Sequence, residues 1–184
     1  MFLFAGTMSE EAFVSTLLKK RPLYQRAWFL AIASIGVISV AFVVVGGLLF
    51  MRPVKNEGSG MSPTINDGDR IFFSRTAGKI ERGEIVLFRY PNDPRKSFIK
   101  RIVALPGDTI RIDDSGGLYI NDNLTAEPYL SADRHRTPRS LPLQTLKENE
   151  YFVMGDNRDA SNDSRSWGPV PRGLIYGKFL WRYW

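Results

Sequence analysis

The chain has 184 residues, 25 Lys and Arg against 19 Asp and Glu, a net charge of +6, one histidine and no cysteine, and this length favours one domain with a small appendage. Without cysteine there are no disulfides, thiol nucleophiles or thiolate metal sites, and the single His135, set among Arg134, Arg136 and Arg139, argues against a histidine triad or metal centre, so neither metal nor cofactor is expected. The basic excess forms no stripe interleaved with aromatics, which points to an anionic membrane surface and away from nucleic acid.

Residues 1–27 read as a short cytoplasmic tail, with Thr7 and Glu10 spaced as a capping box and Phe13, Leu17 and Leu18 as a modest apolar face. Residues 28–51, from Trp28 to Met51, are 24 residues without a charge. A helix of that length crosses a ~30 Å hydrocarbon core, so the stretch reads as a transmembrane helix. The run continues through Leu48-Leu49-Phe50-Met51-Arg52 where a signal peptide would show small residues, which makes it an uncleaved anchor. Lys19, Lys20, Arg21 and Arg26 precede the span and only Arg52 and Lys55 closely follow it. The expected orientation is therefore single-pass in the plasma membrane, N-terminus cytoplasmic, with residues 52–184 extracytoplasmic.

After a polar link, Lys55 to Gly60, come Met61-Ser62-Pro63-Thr64-Ile65 and a turn at Asn66-Asp67-Gly68-Asp69. Arg70–Ser74 and Glu84–Tyr90 read as strands. Ser97 to Asp108 reads as a buried strand ending in a Pro-Gly-Asp turn. Phe98 and Ile102 share the face of Lys100, and Ile99 and Val103 occupy the other, so neither face is solvated. Two states of Lys100 follow. Desolvated, its amine loses protons readily and can act as a base near neutral pH; alternatively its head snorkels to water. Thr109–Asp113 and Leu118–Asn121 read as a hairpin around Asp114-Ser115-Gly116-Gly117, and residues 122–148 as loop-rich, so that about 113–148 forms an inserted subdomain. Glu150–Met154 resumes as a strand, Gly155–Gly168 is a polar loop, and Gly173–Trp184 a final strand. The rings of Trp181, Tyr183 and Trp184 suit a bilayer interface and core packing equally well. The soluble part is thus mainly β, an antiparallel, barrel-like sheet.

The polar loop is compatible with self-capping or with bracing of a neighbouring site, in which Ser161 holds the amine of Lys100 and Asp163 pairs with Arg165. A calcium loop from Asp159 is excluded, because it lacks the glycine at its sixth position and has Val170 where the bidentate Glu should stand.

Gly60-Met61-Ser62-Pro63-Thr64 with Gly68-Asp69, then Lys100 through Asp108, then Gly155-Asp156-Asn157-Arg158 through Ser161, Asp163, Ser164 and Arg165 together resemble the bacterial type I signal peptidase family. The order of these stretches and the N-terminal anchor agree with it. The resemblance implies a membrane-anchored serine endopeptidase that removes signal peptides from exported preproteins by a Ser/Lys dyad. It makes Lys100 the general base and Ser161 the residue that orients it. Met61, Ile65, Phe98 and Ile99 become the lining of shallow apolar pockets for small side chains. Gly155, Asp156, Asn157, Arg158, Asp163 and Arg165 become residues that shape and brace the site. The family nucleophile position falls on Gly60, which has no hydroxyl, with Ser59 one residue early and Ser62 in the variable position. Three readings follow: a peptidase in which a backbone shift brings Ser59 to Lys100, a catalytically impaired homologue that binds signal peptides without cleaving them, and a structural membrane subunit. A buried lysine without a chemical role is a net cost, which disfavours the third.

Overall fold

A computed structural model of the chain describes residues 23–131 and 139–184, so the tail with its expected capping box, and His135, lie outside the described residues. The first compact unit is carried by α1, Leu23–Phe50. Its segment Ala27–Gly47, 21 residues long, is apolar on every side, and at ~1.5 Å per residue it matches a ~30 Å hydrocarbon layer. Its two serines satisfy themselves locally: Ser34 Oγ donates to Ala31 O at 2.8 Å and Ser39 Oγ to Ile35 O at 2.9 Å. No side-chain hydroxyl of the segment is therefore left to require water.

The second unit begins at Leu48 and is all antiparallel β apart from short turns of helix. Its strands are β1 (Met51–Lys55), β2 (Arg70–Ser74), β3 (Ile85–Tyr90), β4 (Asp93–Ala104), β5 (Thr109–Ile112), β6 (Leu118–Ile120), β7 (Asn123–Leu124), β8 (Leu141–Thr145), β9 (Glu150–Met154), β10 (Val170–Pro171) and β11 (Ile175–Arg182). A four-residue helix, α2 (Ser164–Trp167), interrupts the polar loop, and a 3-10 turn at Arg172–Leu174 leads into β11. The large sheet runs β1-β2-β11-β3-β4-β9-β10 and the small one β7-β6-β5-β8.

The barrel-like expectation is corrected here: the end strands β1 and β10 do not pair with each other among the described residues, so the large sheet stays open. Both ends carry a proline, Pro53 and Pro171, which cannot donate to a further strand. The stretch 122–148 also differs from the loop-rich reading. Leu141–Thr145 forms the edge strand β8, paired with β5. Its Pro142 hides the signal, because a proline within a short run argues against a strand in sequence yet is tolerated at an edge.

β3 is buried on both faces: Val86 and Phe88 join one core with Ile102 and Val153, while Ile85 and Leu87 join another with Met61, Ile71 and Ile99. A third core welds the two sheets, with Val103, Ala104, Phe152 and Met154 from the large sheet against Ile110, Ile112, Leu118, Ile120 and Leu146. The C-terminal rings stay outside these cores. Trp184 is 82% exposed and Trp181 45%, and Phe72 stacks on Tyr183 at 4.4 Å between centroids.

Phe152 is fully buried where the sheets meet. Phe152→Ala should cost about 3–5 kcal/mol, read as a lower denaturation midpoint of the full chain in detergent micelles.

Candidate active site

β4 is 12 residues long, and only its C-terminal part is paired on both sides. β3 covers it from Asp93 to Arg101, whereas β9 begins at Arg101↔Met154. Lys100 therefore sits where the strand leaves the sheet interior. Its side chain is buried, 8% exposed, and among the described residues its amine has no hydrogen bond or ion pair. Burial pulls the Lys100 pKa below its ordinary value; Asp163 and Asp156 oppose that shift, and Arg165 adds to it. Of the two states open to this lysine, the desolvated one is observed.

Gly60 faces that amine. A Cβ on Gly60 would lie 3.0 Å from Lys100 Nζ, 3.7 Å from Ala160 O and 3.9 Å from Ser161 Cα. The backbone here is held from the far side: Asn157 N donates to Gly60 O at 3.2 Å, and Asn157 Nδ2 to Ser59 O at 3.1 Å. Ser62 N also donates to Ser59 O, at 3.1 Å. The Ser59 side chain is exposed, whereas Ser62 is buried, with its hydroxyl 3.5 Å from Ile65 O.

The stretch 155–158 is buried throughout. Asp156 accepts two bonds from Arg101, at 2.9 Å from Nε and 2.6 Å from Nη2, and Arg101 also donates to Gly83 O at 2.7 Å. Asp163 accepts from Gly155 N at 3.0 Å and from Arg165 Nε and Nη2 at 2.8 and 2.9 Å, and caps α2 through Arg165 N. Burial alone would raise the Asp163 carboxyl, but the Arg165 pair, the Gly155 amide and the Ser161 hydroxyl hold it below the usual carboxylate range. Arg165 Nη2 donates to Arg158 O at 2.8 Å, Arg158 Nε donates to Gly155 O at 3.0 Å, and the Arg158 guanidinium is clasped by both oxygens of Glu127. Thus Gly155, Asp156, Asn157, Arg158, Asp163 and Arg165 converge on one braced loop.

Two placements differ from the sequence reading. Ser161 Oγ is buried without a well-formed hydrogen bond, to Lys100 or to any other described residue. It lies against Gly155, where an added Cβ would overlap both Ser161 Oγ and Gly60 O, so the hydroxyl is turned into the space that this glycine leaves. Ile65 is fully buried among Met61, Ile71 and Phe73 and does not line the cleft. Met61, Phe98 and Ile99 do, together with Val54, Leu87, Gly60 and Lys100 and the polar Lys55, Asn56, Glu57, Lys96 and Ser97, around a cavity of about 330 Å³. Sequence reasoning missed Arg101, Glu127 and Tyr129. Arg101 stacks over the Tyr129 ring at 4.1 Å from its centroid. Alternation along β4 places Arg101 opposite Lys100, but its partner Asp156 is 55 residues away and no local pattern names it.

The antiparallel β domain thus carries a cleft of mixed apolar and polar lining with the buried amine of Lys100 on its wall. Residues 26–184 match the family described as signal peptidase, peptidase S26, and the chain belongs to it. It is 36% identical over 159 residues to signal peptidase I of Bacillus licheniformis, covering 80% of this chain and 81% of that one. It is 33% identical to the probable signal peptidase I-2 of a Synechocystis species, over 80% of this chain and 70% of the other. Signal peptidase IB of Staphylococcus aureus is 31% identical over 167 residues, 80% and 86% of the two chains.

Gly155→Ala should lower any activity of this site by at least about tenfold, since a small misplacement of reacting groups is costly. A folded Gly155→Ala protein with unchanged turnover would contradict the close packing of Gly155 on Ser161 and Gly60.

Proposed function

We propose that this protein is a membrane-anchored endopeptidase that removes signal peptides from exported preproteins, with Lys100 as general base. The observation that carries this reading is the approach of Gly60 to Lys100: a Cβ at the family nucleophile position would lie 3.0 Å from Nζ, and both residues line the cleft. Two strand edges border that cleft. β1 is the terminal strand of the large sheet, and β4 before Arg101 is paired on one side only. An extended peptide laid between them gains main-chain hydrogen bonds, and its alternate side chains fall on Met61, Leu87, Phe98 and Ile99. The amide of Gly60 donates to no described group, which leaves it for the oxygen of the scissile carbonyl.

The base requires a neutral amine, and burial of Lys100 lowers the pH at which that form appears. Cleavage should therefore rise with pH along a limb whose midpoint lies below the ordinary lysine value of ~10.4. Lys100→Met should lower kcat/KM by about 10²–10⁴-fold and remove that limb. Retention of the limb in Lys100→Met would assign the titration to another group.

The reading places residues 1–27 in the cytoplasm, 28–51 in the plasma membrane and 52–184 outside, with an inserted subdomain over about 113–148. Four basic residues before the span support it, and the exposed rings of Trp181 and Trp184 suit contact with the bilayer surface. In intact spheroplasts, added protease should digest residues 52–184 and spare the tail. Protection of the large part would reverse the orientation.

A further inference from the structure

We propose that a second cavity, bordered by Ala160 and Ser161, receives the first residues of the mature chain, and that Arg139 makes it select an acidic side chain there. This rests on the signal peptide endopeptidase reading and concerns the part of the substrate that lies beyond the cleft. The cleft takes the residues before the scissile bond, and Gly60 and Lys100 both line it.

An extended peptide added to β4 cannot run on past Lys100. On the side of β4 opposite β3, the place of such a peptide is filled from Arg101 onward by β9, whose last residue Met154 pairs with Arg101. The residues after the scissile bond therefore meet the end of a strand and turn out of the sheet. What borders Gly60 besides Lys100 is the stretch Ala160–Ser161: a Cβ on Gly60 would lie 3.7 Å from Ala160 O and 3.9 Å from Ser161 Cα. The same two residues form part of the wall of the second cavity, about 400 Å³ in volume. At ~3.3 Å per extended residue, the second or third residue of the mature chain reaches it.

The lining of this cavity differs from that of the cleft. Among its described lining residues only Ala160 is apolar, so it suits a polar side chain. Its charges differ in what they have left to offer. Arg158 and Arg165 have side chains 1% and 4% exposed and are held by Glu127 and Asp163, and Asp159 has an interaction of its own. Arg139 is exposed, and its one hydrogen bond to a described residue goes to a neutral group, from Nη1 to Ser166 Oγ at 2.7 Å. Its Nε and Nη2, the pair that grips a carboxylate side-on, donate to no described residue. An aspartate or glutamate soon after the scissile bond supplies that carboxylate, whereas a lysine there meets a like charge.

The test is a binding measurement. The probes are fluorescent peptides that join the end of a signal peptide to the first mature residues, with Asp, Asn or Lys at the second mature position, and a shorter peptide that stops at the cleavage point. Anisotropy reads their binding to the full chain in uncharged detergent micelles at low salt. The Asp peptide should bind about tenfold more tightly than the Lys peptide, with Asn between them. Arg139→Glu should reverse that order, Arg139→Gln should flatten it and Arg139→Lys should keep its direction. The shorter peptide does not reach Arg139 and should bind all four proteins alike. Equal affinity of the Asp and Lys peptides for the unmodified protein, or an unchanged preference in Arg139→Glu, overturns the assignment while the endopeptidase reading stands. So does weaker binding of the shorter peptide to Arg139→Glu, which would make Arg139 a brace for the loop at Ser166. Failure of every peptide, the shorter one included, to bind the folded unmodified protein overturns the endopeptidase reading as well.

Discussion

The structure depends on the burial of one amine. Lys100 lies in the sheet where water is scarce, and two carboxylates near enough to act on it favour its charged form. Asp156 and Asp163 both act to raise its pKa. Each is committed to an arginine, Asp156 to Arg101 and Asp163 to Arg165. Arg165 lowers the Lys100 pKa in its turn, and desolvation is the largest cause of the downward shift. The lowered pKa of Lys100 has both causes: burial disfavours the charged amine, and the ion pairs occupy the neighbouring anions. Burying such pairs gains little stability by itself. Their effect is on the charge state of their neighbour.

The same ion pairs fix geometry. Arg101 follows Lys100 directly, so alternation along β4 sends one side chain toward Gly60 and the next onto Asp156, and the loop carrying Ser161 is registered against the strand that carries Lys100. Asp163 works in the same way from the other end, joining the Gly155 amide to the start of α2. Beside these anchors the chain is packed so closely that Gly155 has no room for a side chain. The site is therefore held by backbone contacts as much as by charges.

Much of this was legible in the sequence because it is local. The uncharged run from Trp28, the turns at Gly68 and Gly107 with their positive φ of 85° and 83°, and the two-sided apolar setting of Lys100 are each written in one continuous stretch of chain. The family resemblance placed the bracing loop, and the structure brings its members together. What was not legible is non-local or conditional. Arg101 and Asp156 are 55 residues apart and Arg158 and Glu127 are 31 apart, so nothing in either neighbourhood names the partner. β8 was hidden by Pro142, whose tolerance depends on the strand being an edge. Ile65 has the composition of a cleft residue, but the turn before it directs Met61 toward the cleft and Ile65 into the core.

Glu127 gives the small sheet a part in the site. It follows β7 and reaches across to the Arg158 guanidinium, which in turn holds Gly155 O, while Tyr129, two residues on, lies under Arg101. The segment that leaves the small sheet thus touches Arg101, the partner of one anchor, and Arg158 within the bracing loop. The third core, shared between the sheets through Phe152, fixes where that segment emerges. An insertion that supplied only bulk would have no reason to bury an ion pair in which Arg158 is 1% and Glu127 7% exposed in their side chains. Leaving either charge unpaired there is strongly destabilising, so the loop and the insertion keep their positions together. Lys100 is set by the large sheet, and the loop facing it is set by both sheets.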